Sequence, residues 1–114
     1  MTTTTAAAGQ VMRHLEFGRQ GLRPDLDAQI ISVTEQWAQF AVAGPKARDL
    51  LNTILDQEIE NESWPFMACG DISIGGIRGR LFRSSFSGDH AYEVSVPSRY
   101  GASLFRLLTA QAEA

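Results

Sequence analysis

One stretch of sequence decides the fold, and it reads Phe86-Ser87-Gly88-Asp89-His90-Ala91-Tyr92-Glu93-Val94-Ser95-Val96-Pro97. Apolar and polar residues alternate over 90–96, which predicts a strand with Tyr92, Val94 and Val96 facing the core. Neighbouring residues of a strand point to opposite faces of the sheet, so Glu93 is predicted on the face away from the core. A turn precedes this strand and a proline stops it.

Outward from this strand, the chain predicts the element order (β)αββαβββα. The predicted elements are a strand or frayed tail at 1–8, a helix from Ala8 to about Gly18 or Gly21, strands at 28–33 and 37–43, a helix at 47–55, strands at 67–74, 77–86 and 90–96, and a last helix from Ser98. Helices interspersed with antiparallel hairpins indicate an α+β fold, in which helices cover one face of an antiparallel sheet.

Several local details accompany these elements. The strands at 28–33 and 37–43 are predicted to form a hairpin with each other. The pair Gly75-Gly76, flanked by apolar alternation, predicts a second hairpin turn. Pro45 suits the first position of its helix, and Ser98 is predicted to cap the last helix.

Composition limits the classes of function. The chain has 114 residues, 44% of them hydrophobic, which fits one soluble globular domain. A net charge of -3 argues against non-specific attraction to nucleic acid or to an anionic membrane. The longest apolar runs have four residues, far below the roughly 20 that a membrane helix needs. With Cys69 as its single cysteine, the chain forms no internal disulfide, and a reducing, cytoplasmic location is expected.

The short motifs of phosphate loops, nucleophile elbows and metalloprotease helices are absent from the sequence, so no catalytic or metal-binding residue is predicted. His14 and His90 are far apart in the chain and are interpreted as surface histidines. Cys69 lies in the apolar run Phe66–Cys69, which favours a buried, inert thiol.

Two charged features leave alternatives open. Arg78, Arg80 and Arg83 lie on or near one strand, and they either hold an anionic group or pair with the acidic stretch at 56–62, which is the commoner arrangement. Glu93 is either a solvated glutamate on an open sheet face or, if that face lines a cavity, an acceptor for the N–H groups of a planar heterocycle.

Two segments carry a family resemblance. Ala43-Gly44-Pro45-Lys46-Ala47 followed by Leu50-Leu51, and the stretch 86–97, resemble the aminomethyltransferase family of the glycine cleavage system, the T-protein family. Together with the segments 1–5, 32–38 and 65–68, they make nearly the whole chain similar to the C-terminal region of the α subunits of heterotetrameric sarcosine oxidases.

This resemblance implies tetrahydrofolate as the cofactor, bound in a cavity where it receives a one-carbon unit. In the oxidases, sarcosine is oxidised to glycine at a flavin, and the resemblance places both the flavin and NAD sites outside this chain. The family's glutamate that holds the pterin edge falls on Glu93. Its folate-contacting tyrosine falls on Phe86, where ring stacking is retained and the hydroxyl contact is lost.

The resemblance also places the family's catalytic aspartate upstream of residue 1 and a further folate-contacting arginine downstream of residue 114. We therefore expect residues 1–114 to be a single domain that is a piece of a larger folate-binding domain, inactive when isolated and prone to self-association. Other subunits of a hetero-oligomer are the expected partners. The alternative is a non-catalytic structural or subunit-interaction module that retains the fold.

Overall fold

The computed structural model describes residues 1–114, which divide into two compact units, Met1–Glu35 and Gln36–Ala114. In neither unit does a helix combine the length and the apolar character that crossing a membrane requires.

The first unit is built around helix α1, Ala8–Phe17. A 3-10 turn at Thr5–Ala7 leads into it, and a π-helical turn at Gly18–Leu22 follows it. The predicted helix is confirmed. The π-helical turn that continues it ends at Leu22, two residues before Pro24, whose ring and missing N–H do not fit a helix interior.

The strand predicted at 28–33 is wrong, because this segment forms no strand, and of the two alternatives at 1–8 the strand does not form. Two apolar residues of segment 28–33 are exposed, Ile31 by 76% and Val33 by 44%. β-branched residues favour a strand only where neighbouring strands supply packing and hydrogen bonds. The predicted hairpin partner, residues 37–43, pairs with a different strand instead.

The second unit contains a four-stranded sheet with β1 Trp37–Ala43, β2 Cys69–Ile74, β3 Ile77–Phe82 and β4 Ala91–Pro97. The strand order is β1-β4-β3-β2, and all three pairings are antiparallel. The α+β fold class is therefore confirmed.

The turn between β2 and β3 is the one that the glycine pair predicts. Gly75 and Gly76 have φ angles of 54° and 79°, the left-handed conformation that a two-residue hairpin turn needs. Strand β3 ends at Phe82, four residues earlier than predicted, and its pairing continues only as far as Arg83, whose N–H donates to the carbonyl of Ala68. The chain then leaves the sheet in a loop that contains Gly88, with φ 89°.

The core lies between one face of the sheet and two helices, α2 Ala47–Asn52 and α3 Gly101–Glu113. Strand β4 supplies Tyr92, Val94 and Val96, which are 0–2% exposed, so the predicted inward face is confirmed. The other buried residues of this core are Ala47, Leu51, Ile54, Leu55, Ile59, Ile72, Leu81 and Leu104.

Two details at helix starts differ from the prediction. Pro45 is not in the first position of helix α2, which begins at Ala47, because Pro45 lies in a turn closed by a hydrogen bond from the N–H of Ala47 to the carbonyl of Gly44. Ser98 makes no capping hydrogen bond, and Ser98–Tyr100 form a 3-10 turn that leads directly into α3.

The acidic stretch at 56–62 is more ordered than a solvated loop. The Asp56 carboxylate accepts hydrogen bonds from the Ser73 hydroxyl at 2.6 Å and from the N–H groups of Gly75 and Gly76, each at 2.8 Å. The N–H of Asp56 donates to the carbonyl of Ser73, and Ile59 is buried at 1% exposure. Residue 56 thus fastens the β2–β3 turn.

We expect Asp56→Asn to lower the midpoint of thermal unfolding at pH 7. The three donors hold the pKa of Asp56 below its usual value, the Ser73 hydroxyl being the largest cause, so the carboxylate stabilises the folded state above about pH 4 and loses this effect as the pH falls through the folded-state pKa. The difference from the unsubstituted chain should therefore shrink towards pH 2. The control is Asp49→Asn, which removes an exposed carboxylate of α2; a pH-independent difference for Asp56→Asn would contradict the assignment.

Gly79 on β3 has no room for a side chain. A Cβ there would lie 2.5 Å from the carbonyl oxygen of Ser95. We expect Gly79→Ala to lower the free energy of unfolding by about 1–3 kcal/mol in urea titrations followed by tryptophan fluorescence, because the neighbour is backbone and cannot give way. Gly9→Ala, where nothing lies within 4 Å, is the control, and equal effects of the two substitutions would refute this close approach.

Candidate functional site

The face of the sheet opposite α2 and α3, here called the open face, carries most of the polar side chains of the strands. Cross-strand partners point to the same face of a sheet, so the register places Cys69, Phe82 and Glu93 together on it. The same register adds Gln39 and Ser95, which are direct partners on β1 and β4.

Glu93 is held by a relay of hydrogen bonds on this open face. The Ser95 hydroxyl donates to Gln39 Oε1 at 2.9 Å, and Gln39 Nε2 donates to Glu93 Oε2 at 2.5 Å. Ser95 is only 3% exposed, so its bond to Gln39 satisfies a buried polar group. The relay fixes the carboxylate and leaves Glu93 Oε1 without a protein donor, free to accept from a ligand.

Glu93 lies on the face predicted for it, away from Tyr92 and Val94. Of the two interpretations left open by the sequence, the structure shows a half-buried glutamate tied to a neighbouring strand. It lines neither of the two cavities described below.

Phe86 lies in the loop between β3 and β4, and its side chain is fully exposed. Residues on either side of it in sequence form hydrogen bonds within the loop: Gly88 donates its N–H to the Ser85 hydroxyl, and the Ser87 hydroxyl donates to Asp89. The structure therefore does not bring Phe86 against Glu93, and the contact of its ring with folate stays a prediction.

A cavity of about 300 Å³ lies at the end of β4 nearest this loop, and we call it the end cavity. Its lining residues are Phe66, Arg83, Ser85, Gly88, Asp89, His90 and Ala91. Behind it stands Tyr92, which is fully buried and whose hydroxyl lies 2.9 Å from His90 Nε2. His90 is thus half-buried and anchored, which corrects the surface position predicted for it.

The arginines pair with none of the acidic stretch at 56–62, so the arrangement considered commoner is wrong. Arg78 pairs with Asp71 on the neighbouring strand, which holds the pKa of that carboxyl below its usual range. The Arg80 guanidinium stacks 4.5 Å from the centre of the Trp37 ring. Arg83 donates from Nη1 to the carbonyl of Trp64 at 2.7 Å.

A second, shallower cavity of about 400 Å³ lies between these groups on the open face. It is lined by Trp37, Asp71, Arg78, Gly79, Arg80 and Pro97. Its two guanidinium groups are already engaged, one by a carboxylate and one by an indole ring, which reduces their availability to a further anion.

The other titratable candidates stand apart. His14 is exposed on α1, as predicted. Cys69 is exposed, not buried, because it begins the edge strand β2 with its side chain on the open face. No group of three or more His, Cys, Asp or Glu residues is placed to hold a metal ion.

Sequence reasoning missed two residues of these sites. The contact of Gln39 with Glu93 depends on the pairing of β1 with β4, across 54 positions, which no pattern within one strand indicates. Phe66 belongs to a segment without regular structure, and only the folded chain brings it to the end cavity.

Comparison with known proteins gives a consistent picture. A family model described as the GCVT N-terminal domain matches residues 1–114. The chain is 53% identical over 106 residues to sarcosine oxidase subunit alpha of Rhizobium meliloti and 41% identical over 103 residues to that of a Corynebacterium species, strain P-1. These matches cover 91% and 89% of this chain but only 11% of each relative.

The similarity extends beyond the oxidases. A probable aminomethyltransferase of Pyrococcus horikoshii is 41% identical over 71 residues, which is 62% of this chain and 17% of that protein. The chain therefore spans about a tenth of the length of the oxidase subunits and under a fifth of the aminomethyltransferase.

The exposure of Cys69 gives a direct test of the open face. We expect the thiol to react stoichiometrically with a disulfide reagent such as DTNB without denaturant, because nothing in the structure covers it. Cys69→Ser supplies the blank, since the chain has no other cysteine. Reaction only after denaturation would contradict an accessible face, and protection that grows with protein concentration would indicate the expected self-association through it.

Proposed function

The chain belongs to the GCVT N-terminal domain family, and on that premise we propose that it forms part of a tetrahydrofolate-binding domain. The proposal places this domain in the α subunit of a sarcosine oxidase, an enzyme that demethylates sarcosine oxidatively to glycine and passes the one-carbon unit to tetrahydrofolate. Identity to sarcosine oxidase α subunits over 91% of the chain supports this choice within the family.

The single observation that carries the proposal is the free oxygen of Glu93. A pterin presents N–H donors along one edge, and a carboxylate held at one oxygen by Gln39 accepts them at the other. A charge-assisted hydrogen bond of this kind contributes roughly 1.5–3 kcal/mol, and fixing the carboxylate beforehand reduces the entropy lost on binding.

Phe86 completes the proposed contacts, with its exposed ring available to stack on the ligand. The loop that carries it is tied internally by Ser85 and Ser87, so the ring is presented on a structured turn. In this proposal the catalytic aspartate, the further folate-contacting arginine, the flavin and NAD all belong to parts of the oxidase outside these residues.

The wider setting is also proposed. Other subunits of a hetero-oligomer are the partners, since the relatives are named as alpha subunits. A cytoplasmic location fits a chain whose one cysteine is an unpaired, exposed thiol.

A chimera tests the folate role. This chain replaces the aligned 106 residues in the Rhizobium meliloti sarcosine oxidase α subunit, assembled with its partners, and tetrahydrofolate affinity is measured by calorimetry. We expect Glu93→Gln to weaken binding by about 10- to 100-fold, because the amide removes the negative charge and keeps the shape. Sarcosine oxidation, followed by oxygen uptake, should stay unchanged.

The control is Glu58→Gln, an exposed glutamate outside the sheet that makes no side-chain hydrogen bond. Unchanged folate affinity in the Glu93→Gln chimera would refute the assignment. If the unsubstituted chimera assembles and oxidises sarcosine but binds no tetrahydrofolate, the structural or subunit-interaction module becomes the correct interpretation.

A further inference from the structure

The end cavity contains an arginine that the rest of the protein leaves unpaired. Arg83 takes part in none of the ion pairs of the structure, and its one side-chain hydrogen bond is the one from Nη1 to the carbonyl of Trp64. Its guanidinium lies 6.0 Å from the centre of the Tyr92 ring. A half-buried guanidinium with remaining donors attracts an anion more strongly than an exposed one, because less water screens it.

The residue beside Arg83 is Tyr92, which is held in place by its burial in the core. Tyr92 is fully buried in the centre of the sheet, and it contacts both Arg83, through its ring, and His90 Nε2, through its hydroxyl. With Nε2 engaged, the Nδ1 atom of His90 has no protein partner. The side chains of Arg83 and His90, which both line the cavity, are therefore positioned by the same buried residue, Tyr92.

The remaining walls indicate the size and polarity of the ligand. Phe66 provides an aromatic wall and Ala91 a small one, and the volume is about 300 Å³. An apolar cavity of about 150 Å³ is enough for benzene, so this one has space for an aromatic ring with a polar substituent. Asp89 also lines the cavity, but it is exposed and accepts from the Ser87 hydroxyl, and it forms no ion pair with Arg83.

We propose that the end cavity is a binding site for a small aromatic carboxylate, with Arg83 as the main anchor of the carboxylate and Phe66 in contact with the ring. Asp89 at the rim weakens the affinity by repulsion. This site is separate from the one proposed for folate, because Glu93 does not line it.

The experiment uses benzoate as the probe and benzamide as a neutral molecule of the same shape, each titrated into the ¹⁵N-labelled chain at pH 7. We expect benzoate to bind at least about tenfold more tightly than benzamide, since only the carboxylate forms a charge-assisted hydrogen bond with Arg83. The backbone resonances that shift should be those of Ser85, His90 and Ala91.

Arg83→Gln should weaken benzoate binding by at least about tenfold. Arg80→Gln is the matched control, because that guanidinium stacks on Trp37 outside the end cavity, and it should leave the affinity unchanged. Asp89→Asn should strengthen binding severalfold by removing a negative charge from the rim.

Phe66→Ala keeps the proposal testable if Arg83→Gln fails to fold. Phe66 is 66% exposed and lies outside the helices and strands, so removing its ring should weaken benzoate binding while the circular dichroism spectrum is retained. Equal affinity for benzoate and benzamide, an unchanged affinity in Arg83→Gln, or resonance shifts confined to the open face around Arg80 would each overturn the proposal.

Discussion

The structure depends on strand β4 having a neighbour on each side. Strand β4 pairs with β1 on one side and with β3 on the other. Its residues that face the helices therefore lie in the core, and its residues that face away lie in the centre of the open face. Tyr92, Val94 and Val96 are buried by this arrangement, and removing their apolar area from water favours folding. The residues between them are obliged to face the other way, which is how Glu93 comes to its position.

Ser95 is a polar residue that is buried because it lies on a central strand, and it requires a hydrogen-bond partner. A hydroxyl taken out of water destabilises the fold unless it finds a partner, and Gln39 on β1 provides one. The same amide then binds Glu93, so a requirement of packing also orients the carboxylate. The proposed ligand contact is therefore built on an interaction that the sheet already needs.

What the sequence could predict follows from the range of the interactions. Alternation over 90–96 and the pair Gly75-Gly76 are local signals, and the strand, the turn and the face of Glu93 that they predict are confirmed. The segment 28–33 has the composition of a strand, but a strand also needs a neighbouring strand to pair with. Its predicted partner, β1, pairs with β4 instead, and no local pattern in the sequence indicates this pairing. The burial predicted for Cys69 is wrong for a related reason. The apolar residues that precede it in sequence do not indicate that it begins an edge strand, where its side chain is exposed.

The two candidate sites differ in the same way, since one depends on a local pattern and the other on residues far apart in sequence. The face on which Glu93 lies could be predicted from one strand alone, whereas the end cavity draws on Phe66, on Arg83 after β3 and on the loop before β4, which are separated by up to 25 positions. Its charge pattern depends on where Asp89 and Arg83 come to lie, and sequence spacing does not determine that. The family resemblance assigns folate contacts to Glu93 and Phe86, which stay predictions, and says nothing of this cavity.

The two edges of the sheet have different properties, and the difference bears on what the chain can contact. Along β2, Asp56 bonds to Ser73 through its own N–H, and Gln57 accepts the N–H of Ser73, so part of this edge is already satisfied. Strand β1 has β4 as its single neighbour, and its other edge keeps its backbone donors and acceptors unpaired. An unpaired edge is a template for a further strand. Gln39, which holds the Glu93 carboxylate, lies on β1 itself, so the support of that carboxylate comes from the strand that borders the unpaired edge.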